Sequence, residues 1–189
     1  MSVSTALAAA VSSALLLLTP AGPWAPSAGG LGDAARVQSG SSKPDKVTEV
    51  LVDKSDHRLE LRAGDKVLKT YSVALGPGGL GPKRYEGDMT TPTGRYVLRG
   101  RFGLYHQFIN VSYPNDEDRK RFAQAKKEGT IPDGKGIGFG IGLHGVGKKE
   151  IAGVHKAVDW TAGCIAVDDD EIDEISRLVP DGTPIVIQD

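Results

Sequence analysis

The run Lys46–Leu75, KVTEVLVDKSDHRLELRAGDKVLKTYSVAL, decides what kind of fold the chain builds. Val47, Val50 and Val52 sit in one strand-like run, Leu59 and Leu61 recur at the two-residue period of a second, and Lys66–Leu75 supplies a third. Polar Asp53-Lys54-Ser55-Asp56 between the first two is turn-forming, so they read as a hairpin with His57 solvated beside its turn. β-structure therefore begins at once where the globular composition begins.

Working outward, Gly76–Gly87 holds five glycines and two prolines and reads as a loop that bends often. Gly94–Arg99, Phe108–Val111 and Pro184–Gln188 read as further strands. Ile137–Leu143 alternates glycine with apolar residues, as in a strand that another backbone approaches closely. Two segments read as helices. Asp116–Glu128 is charged, with Phe122 and Ala125 as a small apolar stripe, and belongs on the surface. Asp168 can N-cap a helix whose apolar positions are Ile172, Ile175 and Leu178. Asp169, Asp170 and Glu171 complement its dipole, and Pro180-Asp181-Gly182 ends it. There is no internal repeat, heptad or second globular unit. The expectation is a mostly β, single-domain fold with one or two flanking helices.

Composition agrees and narrows the function. The 189 residues include 25 glycines and 11 prolines with few aromatics, which suits a loop-rich β protein. A formal net charge of -1 offers no electrostatic basis for a nucleic-acid partner. The one cysteine cannot form an intramolecular disulfide, so Cys164 reads as a candidate reactive thiol. Ala6–Leu18 is nearly all small or aliphatic. Such a run, about 13 residues, is too short to span a bilayer and fits the apolar core of a signal peptide. It lacks a basic residue before Arg36 and a clean small-x-small cleavage site. Residues 1–43 are thus expected to be a signal peptide with a Pro/Gly/Ser-rich linker, and 44–189 the functional domain of an exported protein with no stable membrane span.

The chemistry is concentrated between His144 and Cys164. The segment runs Leu143-His144-Gly145, with sixteen residues from Gly145 to Trp160, then Thr161-Ala162-Gly163-Cys164-Ile165. A thiol nucleophile needs a base or positive partner, and imidazole is the usual one. Gly163 leaves room for backbone N–H groups to face a developing oxyanion. A buried cysteine that is merely a small hydrophobe carries the same residues, so chemistry alone leaves both readings open.

The pattern His144-x16-Thr161-x-Gly163-Cys164 resembles the signature of the L,D-transpeptidase (YkuD-type) catalytic domain family. Gly81-Pro82-Lys83, Glu86-Gly87-Asp88-x-x-Thr91-Pro92-x-Gly94-x-Tyr96, Ser112-Tyr113-Pro114-Asn115 and Asp159-Trp160-Thr161 extend the likeness from about Lys46 to Asp189. The resemblance implies a β-sandwich-like catalytic fold with a helix beside the active-site loop. It implies Cys164 as nucleophile on a peptidoglycan tetrapeptide stem, His144 as base, and the Gly145 backbone carbonyl orienting the imidazole. Backbone N–H groups around Gly163 and Cys164 would hold the oxyanion, with Thr161 and Ala162 in the same turn. No cofactor or metal is implied, and a monomer in the periplasm or cell envelope is expected. The commonest form of the motif has His before the glycine and Asn or Arg two residues after the cysteine. Ala162 and Ala166 stand there instead, which leaves the choice of stem and acceptor open.

His155 either lines the cleft or caps a loop. His106 is either a residue of the substrate cleft or a packed surface histidine. Trp160 is expected as a core anchor behind the cysteine loop. An L,D-carboxypeptidase or related hydrolase, with water as acceptor, uses the same acyl-enzyme. A zinc peptidase would need His144, His155 and Cys164 at gaps unlike the short ligand spacings of such sites. A non-catalytic wall-binding module has no need of the His–Cys pair.

Overall fold

The computed structural model describes residues 45–189. The expected signal peptide and linker, 1–43, lie outside the described residues. The first hairpin forms as read: β1 (Glu49–Asp53) pairs antiparallel with β2 (Arg58–Ala63), and β2 with β3 (Lys66–Ser72). Leu59 and Leu61 are fully buried, and β3 is the edge of the sheet, with Lys66 and Lys69 along it. Charged side chains on a short edge strand are a common way of discouraging edge-to-edge pairing.

The remaining strands are β4 (Gly94–Phe102), β5 (Phe108–Val111), β6 (Gly142–His144), β7 (Ile165–Ala166) and β8 (Pro184–Gln188). The spatial order is β3-β2-β1-β8-β4-β5-β6-β7, eight strands in one sheet. The sandwich-like layering arises because this sheet curls. β4 pairs with β8 through Gly94–Val97 and with β5 through Leu98–Phe102, with a register shift between Arg99 and Arg101. Such an irregularity bends the strand and increases its twist. The curl brings the far ends together, where the Ala74 N–H donates to the Ala166 carbonyl at 3.0 Å and the Ala166 N–H returns the bond at 2.9 Å. The core enclosed by the sheet includes Val50, Val52, Leu98, Ile109, Leu143, Ile165, Ile185 and Ile187.

α1 (Asp116–Lys127) forms where expected, capped by a reciprocal box between Asn115 and Asp118. Its attachment is polar rather than apolar. Phe122 and Ala125 are only half-buried, whereas Asp118 is buried and accepts the Tyr96 hydroxyl at 3.1 Å. α2 (Asp169–Leu178) buries Ile172 and Ile175 completely. Leu178, expected on the same stripe, is 41% exposed, and Val179 just past the helix takes the buried place.

The segment Ile137–Ile141 is not a strand, contrary to the alternation of its residues. Gly138 and Gly140 have φ of 84° and 75°. Left-handed backbone at two alternate positions cannot continue a ladder. Only Gly142–His144 pairs with β5. Among the described residues, no helix is long and apolar enough to cross a membrane.

Candidate active site

The two ends of the sheet meet at the candidate site. Across β6 and β7, Leu143 pairs with Ile165 and His144 with Ala166. Side chains alternate between faces along a strand. Fully buried Leu143 and Ile165 point into the core. His144 therefore shares the other face with Ala166 and, two residues earlier, with Cys164. Ala166 contributes only a methyl beside the imidazole.

His144 is held from three sides. On β5, Phe108 lies opposite it in register, and the two rings stack with centroids 5.9 Å apart. Phe108 can lie there because position 142 is glycine, where a Cβ would come within 2.1 Å of the ring. Tyr105 covers the imidazole at 5.0 Å, and Trp160 presents an edge at 6.0 Å. Nδ1 donates to the Gly145 carbonyl at 2.5 Å. That bond selects the tautomer and leaves Nε2 as the ring's free lone pair.

The Gly145 carbonyl is positioned in turn by Asp169 at the start of α2. Its Oδ1 accepts the Val146 and Gly147 N–H groups at 2.8 and 2.9 Å, and a Cβ on Gly145 would collide with it at 2.4 Å. The acidic run 168–171 therefore does more than complement a helix dipole. Asp169 is a positioning residue that the sequence reading did not single out, because a carboxylate in a helix's first turn gives no local sign of its long-range partners.

Gly163 turns the chain into Cys164 with φ of 119°, and a Cβ there would lie 2.7 Å from the Thr90 carbonyl. The Thr161 hydroxyl donates to the Cys164 carbonyl at 2.7 Å and accepts the Gly163 N–H at 3.2 Å. Among the described residues, the Ala162 and Cys164 N–H groups have no acceptor. The candidate oxyanion donors are thus Ala162 and Cys164, with Gly163 engaged by Thr161. Ala162 itself is exposed.

The Cys164 Sγ donates to the Gly140 carbonyl at 3.5 Å, and among the described residues this is its acceptor, not the imidazole. Burial pushes the thiol pKa up, against a backbone hydrogen bond from Gly142 and the positive charge of Lys83. Burial also pushes His144 down, against the Gly145 carbonyl, and His155 adds to the fall. Both directions favour a neutral thiol beside a neutral imidazole.

Lys83 is itself buried and pairs with Asp88 at 2.5 Å. Asp88 also accepts the Arg84, Tyr85 and Thr90 N–H groups, which fastens this loop against the cysteine turn. The sequence reading used Lys83 for resemblance but assigned it no role near the thiol.

The other candidates fall as follows. His155 is buried, its Nε2 3.0 Å from Asp168 Oδ1, with Trp160 edge-on at 6.2 Å. It lines a cavity of about 440 Å³ beside the His144 wall, with Tyr105, Val146, Ile151, Val154, Val158 and Trp160. Trp160 is therefore not a core anchor: it is 40% exposed and forms part of this wall. Its N–H and that of Thr161 both bond the Leu75 carbonyl at 3.0 Å, which fixes its backbone across the end of the sheet and leaves the ring outside the core. His106 is at the rim, with Nε2 3.0 Å from Asp173. Both His106 and Tyr105 are left-handed, at φ of 67° and 50°. His57 is half-exposed with Nε2 3.1 Å from Asp159. Among the described residues, no three His, Cys, Asp or Glu side chains are grouped as metal ligands are.

The curled, mostly β sheet thus places His144 and Cys164 on one face at its seam. The sequence profile of the L,D-transpeptidase catalytic domain (YkuD) matches residues 48–187, and the chain belongs to that family. It is 32% identical over 85 residues to the protein named "Putative L,D-transpeptidase YafK" of Escherichia coli (strain K12). That match covers 41% of this chain and 35% of YafK, so the aligned part spans about a third of the curated relative. Among solved structures, the helical cell shape determining protein Pgp2 of Campylobacter jejuni superposes with a TM-score of 0.53 at 24% identity, over 76% of this chain and 48% of Pgp2. Bd1075 of Bdellovibrio bacteriovorus gives 0.51 at 24% identity, over 78% and 49%. Both bear on the fold.

Proposed function

We propose that this protein is a cysteine-dependent L,D-transpeptidase that acts on peptidoglycan tetrapeptide stems. Cys164 Sγ attacks the carbonyl of the third stem residue as His144 Nε2 takes the thiol proton. The Ala162 and Cys164 N–H groups hold the oxyanion. Collapse expels terminal D-alanine, whose amine receives the proton from His144, and leaves a thioester. An amine of a second stem then attacks, the C–S bond breaks, a cross-link forms and the thiol is regained. Residues 1–43 direct export to the periplasm or cell envelope, and 44–189 act there as a monomeric catalytic domain.

The observation that carries this reading is the register of β6 and β7, which puts the His144 and Cys164 side chains on one face of the sheet, with Nδ1 of the imidazole committed to the Gly145 carbonyl. The test is to incubate the protein with a disaccharide tetrapeptide and weigh the products. Cross-linked dimer with loss of D-alanine is expected; tripeptide alone would mean that water is the acceptor and the enzyme a carboxypeptidase. A carbapenem should add once to intact protein and not at all to Cys164→Ser. An adduct retained by the serine variant would remove Cys164 from the mechanism.

A further inference from the structure

Four buried side-chain atoms among the described residues lack a hydrogen-bond partner, and of these only Nδ1 of His155 belongs to the cavity beside His144. Buried polar atoms are nearly always paired, so an unpaired one in a cavity wall calls for an explanation. The other ring nitrogen fixes its chemistry. Asp168 Oδ1 accepts from His155 Nε2 at 3.0 Å and from the Gly153 N–H at 2.7 Å, and Oδ2 accepts from Lys156 at 2.8 Å. A carboxylate can only accept, so Nε2 carries a proton, and in the neutral form of the ring Nδ1 is the nitrogen with the lone pair. The cavity thus combines apolar walls with one enclosed acceptor, and its Trp160 wall is shared with His144.

We infer that His155, backed by Asp168, is a second imidazole of the reaction, which receives the amine of the acyl acceptor at the end of an aliphatic arm lying along Val146, Ile151, Val154 and Val158. The inference rests on the proposed transpeptidation. Thioester aminolysis needs a free amine lone pair, and an alkylamine arrives at neutral pH as an ammonium. That ammonium donates to Nδ1 and passes one proton to it. The amine nitrogen then attacks the thioester carbonyl and the C–S bond breaks. The second proton goes through His144 to the sulfur, and His155 returns the first to water. The charged and titratable groups around His155 are Asp168 and Glu171 from α2 and its cap, Lys156 beside it, His144 across Trp160, and Lys148 at the cavity rim. Lys156 is occupied by both carboxylates, at 2.8 and 2.5 Å. Val154 and Val158, 71% and 67% exposed, form the solvent side of the cavity's lining.

Two measurements test this. Intact protein with isotope-labelled histidine is titrated with n-butylamine hydrochloride and followed by NMR. The resonance absent from His155→Phe should shift saturably; no shift would overturn the assignment. In the second, acylation and aminolysis of the tetrapeptide thioester are timed separately. His155→Phe should lower aminolysis at least about tenfold more than acylation, the scale of a lost proton acceptor. His155→Gln, which keeps an acceptor atom but takes up no proton, should recover the acceptor KM and not the rate. A parallel fall in acylation and aminolysis would make His155 structural and overturn the inference. If the wild type forms no thioester, the proposed function fails, while the butylamine titration still decides whether His155 receives amines.

Discussion

The cysteine turn and the histidine wall face each other across one site but are built by different means. Around Cys164 the chain is fixed by close approach. Gly163 leaves no room for a Cβ beneath the Thr90 carbonyl, and the Thr161 hydroxyl ties the turn to itself. Around His144 the fixing groups are aromatic rings and the carboxylate of Asp169, which act from β5, the β4–β5 loop and α2. Cys164 is therefore held by sterics and by hydrogen bonds within its own turn. His144 is held by packed rings and a buried carboxylate that reach it from separate elements. Damage to the first should appear as lost backbone geometry, and damage to the second as graded loss of orientation.

The strongest attack on this contrast removes the base. His144→Ala should slow carbapenem acylation by about 10²-fold or more, the usual scale for a general base. Stopped-flow rates near wild type would show that the neutral thiol reacts without it. Next in size is the backbone of the cysteine turn. Ala162→Pro deletes an N–H that has no other partner and restricts Thr161 before it, and acylation should fall about 10²-fold. Ala162→His changes only an exposed side chain, so the loss should stay below about tenfold, or about 1.4 kcal/mol of barrier. Equal small losses from both would mean that these N–H groups do not hold the oxyanion.

Asp169→Ala probes the histidine wall indirectly. It strands the Val146 and Gly147 N–H groups, at a cost of about 1–3 kcal/mol for a buried donor left unpaired. The thermal midpoint should drop, and the Gly145 carbonyl should loosen enough to slow acylation about tenfold. Unchanged kinetics with a lowered midpoint would separate stability from orientation.

The smallest expected effect is a pH dependence at the rim. His106 is pushed up from 6.5, first by its hydrogen bond to Asp173, with burial opposing and the charges of Asp173 and Asp169 adding. A raised folded-state pKa means that the stabilisation is fully present below the unfolded value and is lost as pH rises through the folded one. The pair is substantially exposed, so it contributes well under about 1 kcal/mol. The wild type should melt above His106→Gln near pH 5.5, with the gap closing by about pH 9. A gap that widens with pH would reverse the assignment.

Much of this was legible in the chain before folding. Alternation located most strands, a cap located α2, and a charged run with a small apolar stripe located α1. The single cysteine after glycine, with histidine upstream, singled out the candidate site, and the family resemblance favoured it over a merely buried cysteine. The misreadings share a cause. Ile137–Leu143 alternates like a strand, but two left-handed glycines take it off the ladder. Trp160 reads as core by residue type, yet its wall belongs to a cavity.

The sequence by itself determined which segments extend, where helices start and stop, and which thiol and imidazole are available, because these depend on neighbours within a few residues. Only the tertiary structure decided that Ala74 meets Ala166, that Asp169 holds the turn after His144, and that Asp168 turns His155 so that its other nitrogen stands unpaired in a cavity wall. Each of these joins residues at least thirteen apart in sequence. They come within reach because β4 bends at its register shift and the sheet curls until its ends touch. That closure is set by the register of all eight strands together, and no local pattern encodes it.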